Sequence, residues 1–188
     1  MKIAVIGCGN IANHAHIPSY MNNPEAEIVY FCDILPERAQ AAVDKYGCGK
    51  PVTDYQEILA DPAVDAVSVC TPNNVHASIA MDCLRAGKHV LCEKAFTVNE
   101  AQARRVTAMA REKGLLLAEA IWTRYMPSRE LIASIIASGE LGRVHSLQAN
   151  LGYPIWEVER MRSPQLAGGT LLDLGVYPIN FALMAFGD

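Results

Sequence analysis

The stretch that decides the fold opens the chain: Met1-Lys2-Ile3-Ala4-Val5-Ile6-Gly7-Cys8-Gly9-Asn10-Ile11-Ala12. Residues 3–6 form an unbroken apolar run, the pattern of a parallel strand buried on both faces. It stops at Gly7, and a helical pattern over residues 11–21 begins almost at once. The spacing between them is GxGxxA. Gly7 permits a tight turn, Gly9 lets backbone approach a pyrophosphate, and the small Ala12 lets the helix pack on the strand. The N–H groups and dipole of the helix start then face the phosphates. Gly7, Gly9, Asn10, Ile11 and Ala12 are therefore assigned to a dinucleotide. The spacing alone is a weak signal; its place between a first strand and a first helix gives it weight.

Outward from this turn the pattern repeats. Val/Ile/Leu/Cys-rich runs at 2–7, 27–33, 65–71, 89–92 and 115–120 read as strands, and 11–21, 36–46, 55–60, 75–86 and 100–113 read as helices. Pro36 suits a first helical turn. Asp54 with Glu57, and Asn99 with Gln102, have capping-box spacing. Gly47, Gly87 and Gly114 stand where a left-handed residue closes a helix. The alternation predicts a doubly wound parallel α/β sheet with right-handed crossovers over residues 1–120. Beyond Ala120 an aromatic, basic connector (residues 122–127) leads to a helix at 128–138 and a long strand at 143–152. A proline-broken polar stretch, Gly168-Gly169 and an apolar helix ending near Phe186 follow. The strand has no neighbour in sequence to pair with, so it is expected either to pair with another copy, giving a homo-oligomer, or to take its partners from a segment absent here, with the chain poorly ordered beyond about residue 120.

Composition narrows the class. The 188 residues are 51% apolar and 19% charged, which excludes disorder, collagen and coiled coil. A net charge of −4 offers no footprint for nucleic acid. No apolar run approaches the roughly 20 residues of a membrane span, and the N-terminus does not read as a secretory signal. The six cysteines form no CxxC pair and mostly sit in apolar runs, so they are expected to be small buried hydrophobes in a reducing cytoplasm. Neither cysteine nor histidine spacing suggests a metal.

Asp33, closing the second strand, bears on the cofactor. A carboxylate there accepts hydrogen bonds from both ribose hydroxyls of an adenosine, whereas a 2′-phosphate would be repelled, with Arg38 one helical turn on as a partial offset. NAD is favoured and NADP is allowed.

Three further motifs carry a family likeness. Thr71-Pro72-Asn73-Asn74-Val75-His76 is similar to the TPNxxH turn of the Gfo/Idh/MocA oxidoreductases, Cys92-Glu93-Lys94-Ala95 to their CEKP element, and the run from Gly168 to Tyr177 to their GGGxLxDxGxH signature. Glu119-Ala120-Ile121-Trp122-Thr123-Arg124-Tyr125 and the terminal tyrosine resemble the branch with dimeric dihydrodiol and xylose dehydrogenases. The resemblance implies a Rossmann domain (1–120) followed by an α+β substrate domain, of which 121–188 is a truncated start. It implies hydride transfer between a nicotinamide and a hydroxyl-bearing carbon of a sugar, polyol or diol. Lys94 and Tyr177 are implied as the proton-handling pair and Asp173 as a substrate contact. Thr71, Pro72, Asn73, His76, Glu93, Lys94, Trp122 and Arg124 are implied at the cofactor.

The pairing of tyrosine with lysine is sound chemistry on its own terms. A free phenol titrates near 10, and a neighbouring ammonium favours its ionised form. The chain also departs from the family pattern. Ala95 replaces a proline, so a trans bond is expected before it; Thr170 replaces the third glycine; Pro178 follows the tyrosine and must start or kink a helix. A truncated, non-catalytic dinucleotide-binding module is the alternative reading.

Overall fold

A computed structural model describes residues 1–187, which divide into two compact units, Met1–Ala120 and the residues from Ile121 onward. In the first unit, strands β1 (Lys2–Ile6), β2 (Glu27–Cys32), β3 (Lys50–Val52), β4 (Ala66–Val69), β5 (His89–Cys92) and β6 (Leu117–Glu119) build one sheet in the order β3-β2-β1-β4-β5-β6. Every pairing is parallel. The order reverses at β1, where β1 lies between β2 and β4, so the crevice of a doubly wound sheet opens past the carboxyl ends of β1 and β4.

Helices cover both faces because both faces are apolar. Ile6, Val67, Val69 and Cys92 pack with Ile58, Leu84 and Val106, from α3 (Gln56–Ala60), α4 (Asn73–Arg85) and α5 (Glu100–Lys113). Val5, Ile28 and Phe31 pack with Ile17 and Ala42, from α1 (Ala12–His16 continuing as Ile17–Met21) and α2 (Pro36–Tyr46). Gly47, Gly87 and Gly114 are all left-handed, as their positions predict, whereas the Asp54–Glu57 box does not form: Asp54 Oδ1 accepts the Gln56 N–H and Tyr55 caps α3. Asn99 accepts from the Gln102 N–H, while the Gln102 side chain accepts from Val98 N–H rather than from Asn99. The sequence reading has no β3. This is a three-residue edge strand containing Pro51, and a proline is tolerated in a sheet where a ladder donor is dispensable.

The first half of α1 is a π turn, Ala12–His16, with the Ile17 N–H bonded to the Ala12 carbonyl. Pro18, two residues on, lacks the N–H and would crowd an ordinary turn. The second unit repeats the device. Its last helix, α8, begins as a π turn, Leu171–Gly175, and continues as Val176–Phe186 through Pro178. The proline therefore neither starts nor ends the helix. Thr170 takes φ −61° and ψ −34°, an ordinary helical conformation that needs no glycine.

The rest of the second unit holds a 3₁₀ turn at Trp122–Tyr125, α6 (Pro127–Ser138), α7 (Glu159–Arg162) and a 3₁₀ turn at Pro164–Leu166. The strand expected at 143–152 does not form; these residues are irregular and almost all exposed. Strand backbone needs a neighbour to satisfy its N–H and C=O groups, and among the described residues none lies alongside. One helical stretch, Pro164–Phe186, is long and apolar enough to cross a membrane by length and composition alone, where the sequence reading saw no run of that length. It contains Asp173, buried and paired with Arg160 at 2.8 Å.

Five of the six thiols are buried and Cys48 is half-buried. Burial pushes Cys8, Cys32 and Cys83 up to about 12 and lifts Cys70 and Cys92 as well. A disulfide-exchange reagent at pH 8 is expected to titrate Cys48 alone in its fast phase and all six thiols after denaturation. Fast reaction of a second thiol in the folded protein would contradict this packing.

Candidate functional site

Gly7 lies where three strand ends converge. Its N–H donates to the Cys32 carbonyl at 2.7 Å, while the Cys70 N–H donates to Ile6 at 2.7 Å. Its φ is +93°, and a Cβ there would lie 2.7 Å from the Cys70 carbonyl carbon and oxygen. Only glycine fits both the dihedral and the gap. Gly9 is the opposite case: a Cβ there would meet nothing within 4 Å, so its backbone borders open space. Ala12 is fully buried, while Asn10 and Ile11 are exposed at the helix start. The turn is braced by Asn13, whose Nδ2 donates to the Cys8 and Gly9 carbonyls at 2.9 and 3.0 Å.

Asp33 is buried beside this turn. Its Oδ2 accepts the Cys8 N–H at 2.9 Å and its Oδ1 accepts the Leu35 N–H at 3.0 Å. Each oxygen keeps a second lone pair. Arg38 is exposed in the first turn of α2. Across the crevice, Pro72 caps α4, so Asn73 occupies the first helical position. Thr71 Oγ1 is a buried hydroxyl without a hydrogen-bond partner.

His76 sits elsewhere than at an open crevice wall. It is fully buried; its Nδ1 lies 2.8 Å from the Ala95 carbonyl and its Nε2 2.7 Å from the Thr71 carbonyl. The ring clips the exit of β4 to the exit of β5. Burial holds its pKa below the ordinary histidine value, against the opposing pull of the two carbonyls. Beside it the Lys94–Ala95 peptide is cis, correcting the trans expectation; here the buried Ala95 carbonyl meets the His76 ring and the Phe96 N–H donates to Glu119 Oε1 at 3.1 Å. Lys94 is half-buried at the end of β5, and Glu93 is buried. Glu93 Oε1 pairs with His16 Nε2 at 2.7 Å, and Ser68 Oγ lies 2.8 Å from His16 Nδ1.

In the second unit, Trp122 Nε1 donates to the Tyr177 hydroxyl at 3.1 Å, with the rings edge-on at 63°. Arg124 Nε donates to Asn180 Oδ1 at 2.9 Å. Asp173 and Tyr177 share α8 yet bond in different directions, Asp173 to Arg160 and Tyr177 to Trp122. Gly168 lets the chain pass against the Arg160 carbonyl, which a Cβ would overlap.

A family model described as an oxidoreductase family with an NAD-binding Rossmann fold matches residues 1–120, and one for the GFO/IDH/MocA C-terminal domain matches 130–188. The chain belongs to the Gfo/Idh/MocA oxidoreductase family. This family member is 33% identical over all 188 residues to mouse trans-1,2-dihydrobenzene-1,2-diol dehydrogenase, covering 56% of that protein. It is 46% identical over 142 residues to a D-xylose 1-dehydrogenase (NADP(+)) of Hypocrea jecorina, covering 70% of this chain and 36% of the relative. A crystal structure of a 3-ketoreductase from Actinomadura kijaniata, in complex with NADP and TDP-benzene, superposes with a TM-score of 0.93 at 36% identity, covering all of this chain and 57% of that one. The Gfo/Idh/MocA chain thus spans about half the length of the curated relatives it matches.

The sequence alone does not single out Asn13, His16 or Ser68. The usable signal was a polar residue inside an otherwise apolar run, as Ser68 is within β4. The two glycines separate structural from ligand-facing need. Gly7→Ala is expected to cost about 2–4 kcal/mol through strained dihedral and displaced backbone, and Gly9→Ala about 1 kcal/mol or less. Urea unfolding without ligand measures both, and equal losses would contradict the assignment.

Proposed function

We propose that this chain supplies the dinucleotide-binding half and the proton-handling groups of a nicotinamide-dependent oxidoreductase acting on a hydroxyl-bearing carbon of a sugar, polyol or diol, or on the matching ketone. The observation that carries the reading is the open face at Gly9 beside a buried Asp33 and the orphaned Thr71 hydroxyl. Those groups fit a dinucleotide: N–H donors and a helix start for phosphates, a carboxylate for a ribose, and an unused hydroxyl nearby. Gly7, Gly9, Asn10, Ile11, Ala12, Asp33, Thr71, Pro72 and Asn73 would hold it. Asp33 favours NAD over NADP by charge, although the xylose dehydrogenase relative and the solved ketoreductase are described with NADP.

When bound, the nicotinamide accepts or returns a hydride. The chain's own residues handle the accompanying proton. In this reading the Tyr177 oxygen takes it from the substrate hydroxyl, or gives it back to a ketone. Lys94 is assigned the ammonium of the pair, the kind of group that favours the ionised form of a phenol. Trp122 keeps the phenol directed through its N–H, and Asp173, held by Arg160, contacts the substrate. His76 acts by holding the loops together. Small hydroxylated molecules, not nucleic acid or membrane, are the partners, in a cytoplasmic setting. Self-association belongs to the reading, supported by exposed Trp156, Leu171 and Phe186, large apolar side chains of the kind that mark an interaction surface.

Titration with NADH and NADPH, followed by a panel of aldoses, inositols and diols, tests the reading. Binding of NADH is expected to be tighter, with Asp33→Ser lowering that preference about tenfold or more. Turnover is expected to fall by about 100-fold or more in Lys94→Ala. Binding without turnover on any substrate would favour the non-catalytic module, and no binding of either dinucleotide would end both readings.

A further inference from the structure

Three buried polar side chains from three separate elements meet beneath the exit of β5. His16 ends the π turn of α1 and Glu93 follows β5, each 7% exposed, while Ser68 lies inside β4 at 0%. His16 Nε2 donates to Glu93 Oε1 at 2.7 Å, and the Ser68 hydroxyl meets His16 Nδ1 at 2.8 Å. The other carboxylate oxygen, Glu93 Oε2, accepts the backbone N–H of Lys94 at 3.1 Å. Polar groups placed this deep are costly unless each one is bonded. An apolar trio would fill the same volume without that requirement, so the chain of bonds needs a reason.

Its direction supplies one. The network runs from the sheet interior through an imidazole and a carboxylate to the backbone of Lys94. On the far side of that lysine, Ala95 is held through its carbonyl by His76. The main chain on either side of the lysine is thus held by a buried imidazole, His16 through Glu93 and His76 through Ala95. The π turn contributes directly, because the extra residue in it resets where His16 points relative to a regular helix.

We propose that His16 is a positioning residue for Lys94, acting through Glu93, with Ser68 fixing the imidazole. The inference deepens the reading above and rests on Lys94 being the ammonium of that site. In the Nε2–H tautomer the ring donates to the carboxylate and accepts from the hydroxyl, and both nitrogens are satisfied. Ordered outer groups of this kind set how well an inner group is placed, and small misplacement is expensive in rate.

Two amide substitutions separate the bond to Glu93 from mere polarity. His16→Gln carries its amide nitrogen near the Nε2 position and rebuilds the bond to Glu93; His16→Asn reaches only the Nδ1 position and keeps Ser68. The probe is acetylation of Lys94 by acetic anhydride, quantified by mass spectrometry against Lys45 in the same sample. The Lys94 rate is expected to rise about threefold or more in His16→Asn and to stay within about twofold of the parent in His16→Gln. In the same pair, dinucleotide-dependent kcat is expected to fall about tenfold only in His16→Asn, with KM for the dinucleotide unchanged. Equal Lys94 rates in all three proteins, or equal changes in both variants, would overturn the proposal. Should His16→Asn lose its folded circular dichroism, Ser68→Ala carries the test: an accelerated Lys94 supports it and an unaltered one refutes it. The labelling needs neither turnover nor bound dinucleotide, so a failed cofactor reading and a failed positioning role give different results.

Discussion

The first unit depends on one close approach. The exit of β1 passes between the exits of β2 and β4 with backbone against backbone, and Gly7 is the residue at the crossing. One hydrogen bond ties it to Cys32 on one side, while the missing Cβ leaves room for Cys70 on the other. That contact brings the carboxyl ends of the three strands into one crevice. Asp33 then reaches the Cys8 N–H, and Asn13 reaches the Cys8 and Gly9 carbonyls. A side chain on Gly7 would force the strands apart before any ligand entered.

Much of this was legible in the amino acids because the relevant forces are local or strongly patterned. Strands buried on both faces leave unbroken apolar runs, and β5 fell on the predicted residues. Glycines that close helices show themselves by position. Elements defined by their neighbours were less visible. β3 is an edge strand with a proline, and only β2 alongside makes it a strand. Residues 143–152 have the composition of a strand, yet composition cannot supply a partner. Helix α4 begins at Asn73, two residues before the predicted start, because Pro72 forms its cap.

The site was legible in part for the same reason. Gly7, Gly9 and Asp33 follow from the spacing of a strand–turn–helix unit, Thr71 from the family resemblance, and they gather at the ends of β1, β2 and β4. His76, implied at the cofactor by the resemblance, lies buried between two carbonyls, a placement set by packing that no spacing reveals. His16 and Ser68 work through partners tens of residues away in sequence; Ser68 and His16 are 52 apart and His16 and Glu93 are 77 apart. Such pairs exist only once the chain has folded. Asp173 and Tyr177 could be located on their helix but not aimed, since the π turn between Leu171 and Gly175 alters the angular step.

Both α1 and α8 pair a widened turn with a proline a little further on, Ala12–His16 with Pro18 and Leu171–Gly175 with Pro178. The two parts are interdependent. Deleting one residue from the widened turn would restore normal pitch and drive the pyrrolidine ring into the preceding carbonyl; replacing the proline alone would leave a loose coil with nothing to justify it. Helix pitch and imino-acid position are thus coupled at each place, so that a change in one alters what the backbone tolerates at the other.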